Sequence, residues 1–313
     1  MSSFEKFTRG TEDDKVTFIP LPPEKQNRVI DYIRTTTDRY FMDWGDVVLE
    51  GSPGIKEKIK ENILRAEQLF SDRYKNDAKK EGLSEKELRE RLQKKVEDLV
   101  EKASFFRATS ISVIENIMIK DGRWKSQFET GTSNGTLDPE RRAGAEEQMF
   151  GFEKKINLNS QTRPIYGYFT DGENGEINSG GEVPPPNNVH QYGEINFKIK
   201  KEKALKRATV TFQDSLGSYD EYPPTPASKP HYGSLMIGYR YLPLGGINTT
   251  KKKNWGDRYT EVQYHGGLTM DDVESIHIST KNGMTEGHMR KVRDLYKKYM
   301  ELHPESDIKL IEY

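Results

Sequence analysis

The sequence predicts an α+β protein with a helical first part and a β-rich second part. Three observations carry this expectation. Between Ile55 and Leu99 apolar residues recur at helical spacing among dense Lys and Glu. Beyond Pro164, short alternating segments rich in Ile, Val, Thr, Phe and Tyr are separated by Gly, Pro and Asn. The β-rich part culminates in Tyr259 to Tyr264, a strand-like stretch that stops at Gly266-Gly267 and carries a lone carboxylate, Glu261.

A chain of 313 residues holds one large domain or two modest ones with a real core. Charged residues make up 32% and aromatic residues 10%, a polar composition that still excludes wholesale disorder. The 49 basic and 50 acidic residues nearly cancel, so bulk charge neither marks a nucleic-acid binder nor excludes one. The absence of cysteine excludes disulfide frameworks, Cys nucleophiles and thiolate metal sites. No apolar run approaches the ~20 residues of a membrane span. Met1 to Asp14 has no apolar signal core. A cytoplasmic protein without a membrane partner is therefore expected.

In chain order, residues 1–23 read as a flexible lead-in that ends at Pro20, Pro22 and Pro23. Residues 24–109 read as a helical module. Val29, Ile30 and Ile33 mark a first helix, and Ile59, Ile63, Leu64 and Phe70 a second. A third begins with Ser84 as cap and Glu87 three residues on, then continues through Leu88, Leu92, Val96 and Leu99. Its Lys and Glu residues at spacings of three and four indicate a solvated face, and the helices are suited to a lid or a partner-binding module. Residues 110–313 form the second domain. There Ile111 to Ile119 either finishes a helix or starts a sheet, and Gly122 onward reads as a strand followed by a loop around Gly131. Arg141 to Phe150 reads as a helix stopped by Gly151. Strands are expected over 164–169, 192–200 and 207–212, a surface loop over 171–188, a hairpin around Leu235 to Leu242, and a last helix through Met289, Val292, Leu295, Tyr296 and Tyr299.

The candidate chemistry lies in the β-rich part. Side chains alternate along a strand, so Glu261 and Gln263 share a face and can grip one ligand. Glutamate is disfavoured in strands, and a solvated Glu on an edge strand is the plainer alternative. Asp214 and Ser215 end another strand. Glu129, Thr130, Thr132 and Ser133 surround Gly131, either as a simple turn or as a loop whose amides approach a phosphate or an amide. Arg123, Arg163 and Arg207 suit phosphate or structural ion pairs. Glu261 with Glu129 or Asp214 forms a possible carboxylate pair for glycoside chemistry. The six histidines are scattered, and His265 with Asp271 and Asp272 lacks a ligand spacing, so no metal is expected. No Walker phosphate loop occurs.

Several segments occur in order and together carry a resemblance: Arg123 to Gly135, Met149-Phe150-Gly151, Arg163 to Gly167, Arg207 to Ser215 and Glu261 to Gly266. They resemble a bacterial family of unknown function that looks related to the ADP-ribosyltransferases, over roughly residues 120–280. Thr260 to Ile276 is also similar to the end of the DNA-modifying ADP-ribosyltransferase toxins, where a Glu opens a strand and an Ile-containing strand follows. The sequence departs from the better-known patterns. Gln263 replaces the second Glu of a Glu-x-Glu pair, Gln127-Phe128-Glu129 stand where a first-strand His is expected, and a clean Ser-Thr-Ser strand is missing.

The resemblance implies an ADP-ribosyltransferase-like split β-sandwich behind the helical module. It implies a mono-ADP-ribosyltransferase, as a toxin or defence effector, that uses NAD as substrate and needs no metal. The acceptor is a nucleic acid, RNA or DNA, in preference to protein, and an antitoxin is a possible partner. Glu261 then stabilises the ribosyl cation. Gln127, Thr130, Gly131 and Ser133 meet the nicotinamide side, Arg163 the diphosphate, Tyr166 the nicotinamide ring, and Asp214 and Ser215 the ribose. Gln263, Tyr264 and His265 face the acceptor. A non-catalytic interaction protein and an NAD glycohydrolase are the alternatives.

Overall fold

The computed structural model describes residues 54–131, 138–152, 161, 163–170, 192–212, 214–239, 260–280 and 284–312. The lead-in, the first expected helix, the 171–188 loop and Ser133 lie outside the described residues. The architecture is mixed α and β, built on a single sheet.

Two helices open the described chain: α1, Ile55–Glu81, and α2, Glu85–Lys102. Gly82 ends α1 with φ 67, a left-handed conformation that glycine adopts without steric cost. Ser84 and Glu87 then satisfy each other's backbone N–H in a capping box that starts α2. Six further helices follow: α3 Gln127–Thr130, α4 Pro139–Phe150, α5 Lys201–Arg207, α6 Ser215–Ser218, α7 Tyr232–Tyr239 and α8 Glu286–Leu302.

The strands are β1 Ser104–Thr109, β2 Ile165–Thr170, β3 Ile195–Ile199, β4 Ala208–Phe212, β5 Thr225–Pro226, β6 Thr260–Tyr264, β7 Val273–Ile278 and β8 Lys309–Glu312. They lie side by side in the order β5-β4-β6-β2-β1-β3-β7-β8. Only β7 and β8 run parallel. Apolar side chains from one face, among them Phe105, Phe197, Val262 and Ile276, form the main core with Leu88 and Val96 of α2 and Met289 and Val292 of α8. A second cluster joins Ile55, Ile59 and Ile63 of α1 to Ala145, Met149 and Phe150 of α4.

The register shows where a cleft opens. β1 and β2 pair only from Ser104↔Thr170 to Phe106↔Tyr168. Past that point β1 stays with β3 as far as Thr109↔Ile195, and β2 stays with β6 as far as Ile165↔Tyr264. The sheet therefore parts along its middle at one end. Arg107 Nη1 spans the gap, donating to the Tyr166 carbonyl at 2.7 Å. The parting begins at Gly167, where a Cβ would lie 2.2 Å from the Phe106 carbonyl oxygen and 2.7 Å from the Tyr264 ring. No side chain fits there.

Several expectations change. The described strands join in one hydrogen-bonded sheet. Residues 104–109, read as the end of the helical module, form an interior strand. The segment after Gly122 is not a strand. Only Arg123 bridges to Thr269, and Ser126 caps the short helix α3 because its hydroxyl competes for the free N–H of Glu129. Ile111 to Ile119 becomes a turn leading into a π-helical segment, Asn116–Asp121. Tyr232 to Tyr239 is helix α7, not the start of a hairpin, since periodicity alone does not decide a short apolar run. Nor is β6 an edge strand: it lies between β2 and β4. Among the described residues no helix is long and apolar enough to cross a membrane.

One buried carboxylate ties α1, α2 and α7 together. Glu67 of α1 pairs with Arg89 of α2, while its other oxygen accepts from His231 Nε2 at 3.2 Å and from the Tyr232 hydroxyl at 2.5 Å. Burial pushes the Glu67 carboxyl up, but the bonds from His231 and Tyr232 and the charge of Arg89 outweigh it and hold the group at about 2. The folded value is depressed from 4.5, so the stabilisation is present above that pH and is lost as pH falls toward about 2. Glu67→Gln is expected to cost about 2–3 kcal/mol at pH 7. In urea denaturation the gap between wild type and variant should narrow at pH 3.

Candidate active site

Strand β6 places Val262 and Tyr264 in the core and turns Glu261 and Gln263 to the opposite face. Glu261 is buried at 4% exposure, and a carboxylate tolerates this only with partners. Gln263 Nε2 donates to Glu261 Oε1 at 2.9 Å, and the Ser215 amide reaches the same oxygen at 3.4 Å. That amide is presented by α6, whose first turn is capped by Asp214 through a 2.9 Å bond from Leu216 N–H. Burial, then the charge of Asp214, raises the Glu261 carboxyl to about 7, against the opposing pull of Arg142.

Arg142 comes from α4 and is 8% exposed. Its guanidinium lies 4.6 Å over the Tyr166 ring, and its Nη1 has no hydrogen-bond partner among the described residues. One helical turn on, Glu146 accepts from the Tyr166 hydroxyl at 2.7 Å and from Arg163 Nη1 at 3.0 Å. Burial raises the Glu146 carboxyl. Arg163 is itself 1% exposed, with the rings of Phe128 and Phe152 at 4.7 and 5.0 Å. It therefore fastens α4 to the chain entering β2 and is not among the residues that line the cavity. Arg123 and Arg207 are likewise held in ion pairs, with Glu129 and Asp272.

A cavity of about 650 Å³ fills the mouth of the parted strands. Of the residues singled out from the sequence it brings together Glu261, Arg123, Gln127, Glu129, Thr130 and Tyr166. Arg107, Arg142, Trp124, Tyr168 and Tyr192 are also in the wall, with Asp121 and Lys125 among the further lining residues. Gln263, Asp214 and Ser215 surround the Glu261 carboxylate without lining the cavity. Gly131 ends α3 with φ 62 and lies beside Thr130, outside the lining.

Tyr264 and His265 are buried and lie outside the cavity lining. Tyr264 points to the core side and donates to the Phe106 carbonyl at 3.3 Å. His265 extends the ladder through its N–H to Arg207 O, and its ring packs edge-on against Phe150 at 4.7 Å. Burial, followed by the nearby Arg207 charge, pushes His265 down to about 3.

Sequence reasoning missed Arg107 and Arg142. Arg107 is only partly exposed, has no carboxylate partner among the described residues, and leaves its Nε without a hydrogen bond. Burial lowers it to about 10, offset only by Tyr264 and Tyr192. The available signal was an arginine inside the apolar run Ser104 to Thr109, hidden because that run was assigned to a helical module. Among the described residues no three His, Asp or Glu side chains are placed to hold a metal. An ionisable carboxyl beside cations and aromatic rings suits an anionic, ring-bearing ligand and a reaction that develops positive charge.

Residues 92–234 match a family model described as a protein of unknown function, DUF3626. The chain is also 27% identical over 178 residues to the Gene 2 protein of Mycobacterium phage L5, covering 51% of this chain and 59% of that protein. It thus spans about three-fifths of the curated relative that it matches. The family match takes in Arg107, Trp124, Arg142 and Tyr166, and ends before β6 and Glu261.

The Glu261 value is raised above 4.5, so ionising this group costs stability as pH rises toward about 7. Relative to wild type, Glu261→Gln is expected to gain up to about 3 kcal/mol between pH 5 and pH 8. Chemical denaturation at the two pH values measures this. Equal gaps would show that Glu261 ionises without cost.

Proposed function

We propose that the cleft binds NAD and transfers ADP-ribose to a macromolecular acceptor, as a mono-ADP-ribosyltransferase acting as a toxin or defence effector. The observation that supports this most is Glu261, held by Gln263 in the mouth of the parted strands, with Arg107, which has no carboxylate partner among the described residues, in the same cavity. When the ribose–nicotinamide bond breaks, its electron pair leaves with nicotinamide and positive charge grows on the ribose. The ionised Glu261 carboxylate opposes that charge from a fixed position, which costs no reorganisation at the moment of reaction. The acceptor then forms the new bond to the ribose carbon and releases its proton.

Arg107 takes the diphosphate role in this reading, since Arg163 is already paired with Glu146. Tyr166 and Trp124 supply flat apolar surface for the ring. RNA or DNA is the favoured acceptor over protein because Thr260 to Ile276 is similar to the DNA-modifying toxins. A cytoplasmic site of action and an antitoxin partner follow from the toxin reading. NAD glycohydrolysis is the second reading, supported by the burial of Tyr264 and His265, which leaves water as the acceptor.

Incubation with labelled NAD and RNA, DNA and protein separates these. Wild type is expected to release nicotinamide and label one acceptor class, with activity rising as pH passes about 7 and Glu261 ionises. Glu261→Gln should reduce the rate by about 100-fold or more. Nicotinamide release without label identifies a glycohydrolase. Wild type that releases no nicotinamide and labels nothing overturns the enzymatic reading in favour of an interaction protein.

A further inference from the structure

Behind the cavity wall, four buried polar side chains stand in a row across β4 and β6. His265 Nε2 lies 3.0 Å from Thr209 Oγ1, Thr209 Oγ1 donates to Gln263 Oε1 at 2.8 Å, and Gln263 Nε2 donates to Glu261 Oε1 at 2.9 Å. Exposure is 1% or less for His265, Thr209 and Gln263, and 4% for Glu261, so water does not substitute for any link. A threonine hydroxyl carries one proton. Thr209 gives that proton to Gln263, so the contact with His265 requires Nε2–H to be the donor. Burial keeps the His265 ring neutral, and a neutral imidazole supplies one such donor. Every link therefore points the same way, and the chain ends on the carboxylate.

The direction has a consequence at Gln263. A reversed amide places Oε1 against Glu261 and the NH₂ against Thr209, an arrangement satisfied only when Glu261 itself carries a proton. Thr209 and Gln263 are direct cross-strand partners in the β4–β6 ladder, so the sheet fixes their contact and no loop has to order for it. We propose that Thr209 is a positioning residue for Glu261: through Gln263 its hydroxyl sets the amide orientation that holds Glu261 as an acceptor facing the cleft. The geometric claim stands on the hydrogen-bond chain, while its bearing on catalysis rests on the transferase reading. The other groups that face Glu261 are Asp214 and the Ser215 amide from α6, Arg142 from α4 and Tyr166 from β2. Arg207 is the charge nearest in effect to His265.

The test reads Glu261 ionisation without NAD. Stability is measured from pH 5 to pH 9 for wild type, Thr209→Val and Thr209→Ser, each against the same protein carrying Glu261→Gln, and the pH midpoint of each difference is compared. Thr209→Val is expected to move the midpoint up by about one pH unit, because the carboxylate loses its fixed donor. Thr209→Ser, which keeps the hydroxyl, should leave it in place. An unmoved midpoint in Thr209→Val means that Thr209 only fills space and overturns the proposal. Should Thr209→Val not fold, the Gln263 side-chain amide of the wild type decides by NMR: protection from exchange and titration together with Glu261 support the chain, and free exchange overturns it. Failure to release nicotinamide would defeat the transferase reading and leave this titration fully informative.

Discussion

The close approach of two backbones at Gly167 is the constraint on which the site depends. With no Cβ at that position, the Phe106 carbonyl and the Tyr264 ring come within a distance that excludes every other residue. Just there, the ladder between β1 and β2 stops. The parted ends must find partners other than each other, because backbone polar groups away from water are costly to leave unpaired. Arg107 meets the demand on one side by donating to Tyr166 O, and so a cation enters the gap. Neighbouring strands keep their own pairings, which makes the gap a fixed cleft with rigid walls.

The electrostatics of the cleft follow from that rigidity. Glu261, Glu146 and Asp214 lie among Arg142 and Arg163, inside a region where burial penalises every charge. Arg163 and Glu146 satisfy each other closely, while Glu261 accepts from the Gln263 amide and the Ser215 N–H, and burial with the charge of Asp214 raises its carboxyl to about 7. This raised carboxyl lines the cavity. Perturbed groups that line a cleft are where chemistry is most often found.

Much of the fold was legible from local rules. The Ser84 capping box, the α4 stop at Gly151, the alternation of β3 and the apolar stripe of α8 all follow from short-range preferences that the tertiary structure reinforces. What escaped was long-range. The run Ser104 to Thr109 is too short for periodicity to assign, and its place at the centre of the sheet depends on partners some 60 and 90 residues away. The same limit governed the site. Alternation put Glu261 and Gln263 on one face, and the structure holds them together. It also put Tyr264 on the other face, yet Tyr264 and His265 were expected at an acceptor because the family resemblance placed an acceptor-facing loop there. Their burial results from packing against Phe106 and Phe150, which come from distant segments. Arg107 and Arg142 lay outside any motif, and only the three-dimensional gap brings them to the cavity wall.

Helix α4 is a shared wall. One side of it is sealed by Ile55, Ile59 and Ile63 of α1, and the other carries Arg142 and Glu146 toward Glu261. The N-terminal helices thus act as a buttress for the charge that stands opposite the catalytic candidate. A fragment trimmed to the β-rich part would lose the backing of α4, and with it the alignment of Arg142 over Tyr166. Anything that grips α1 from outside gains mechanical leverage on the cleft through a single layer of side chains.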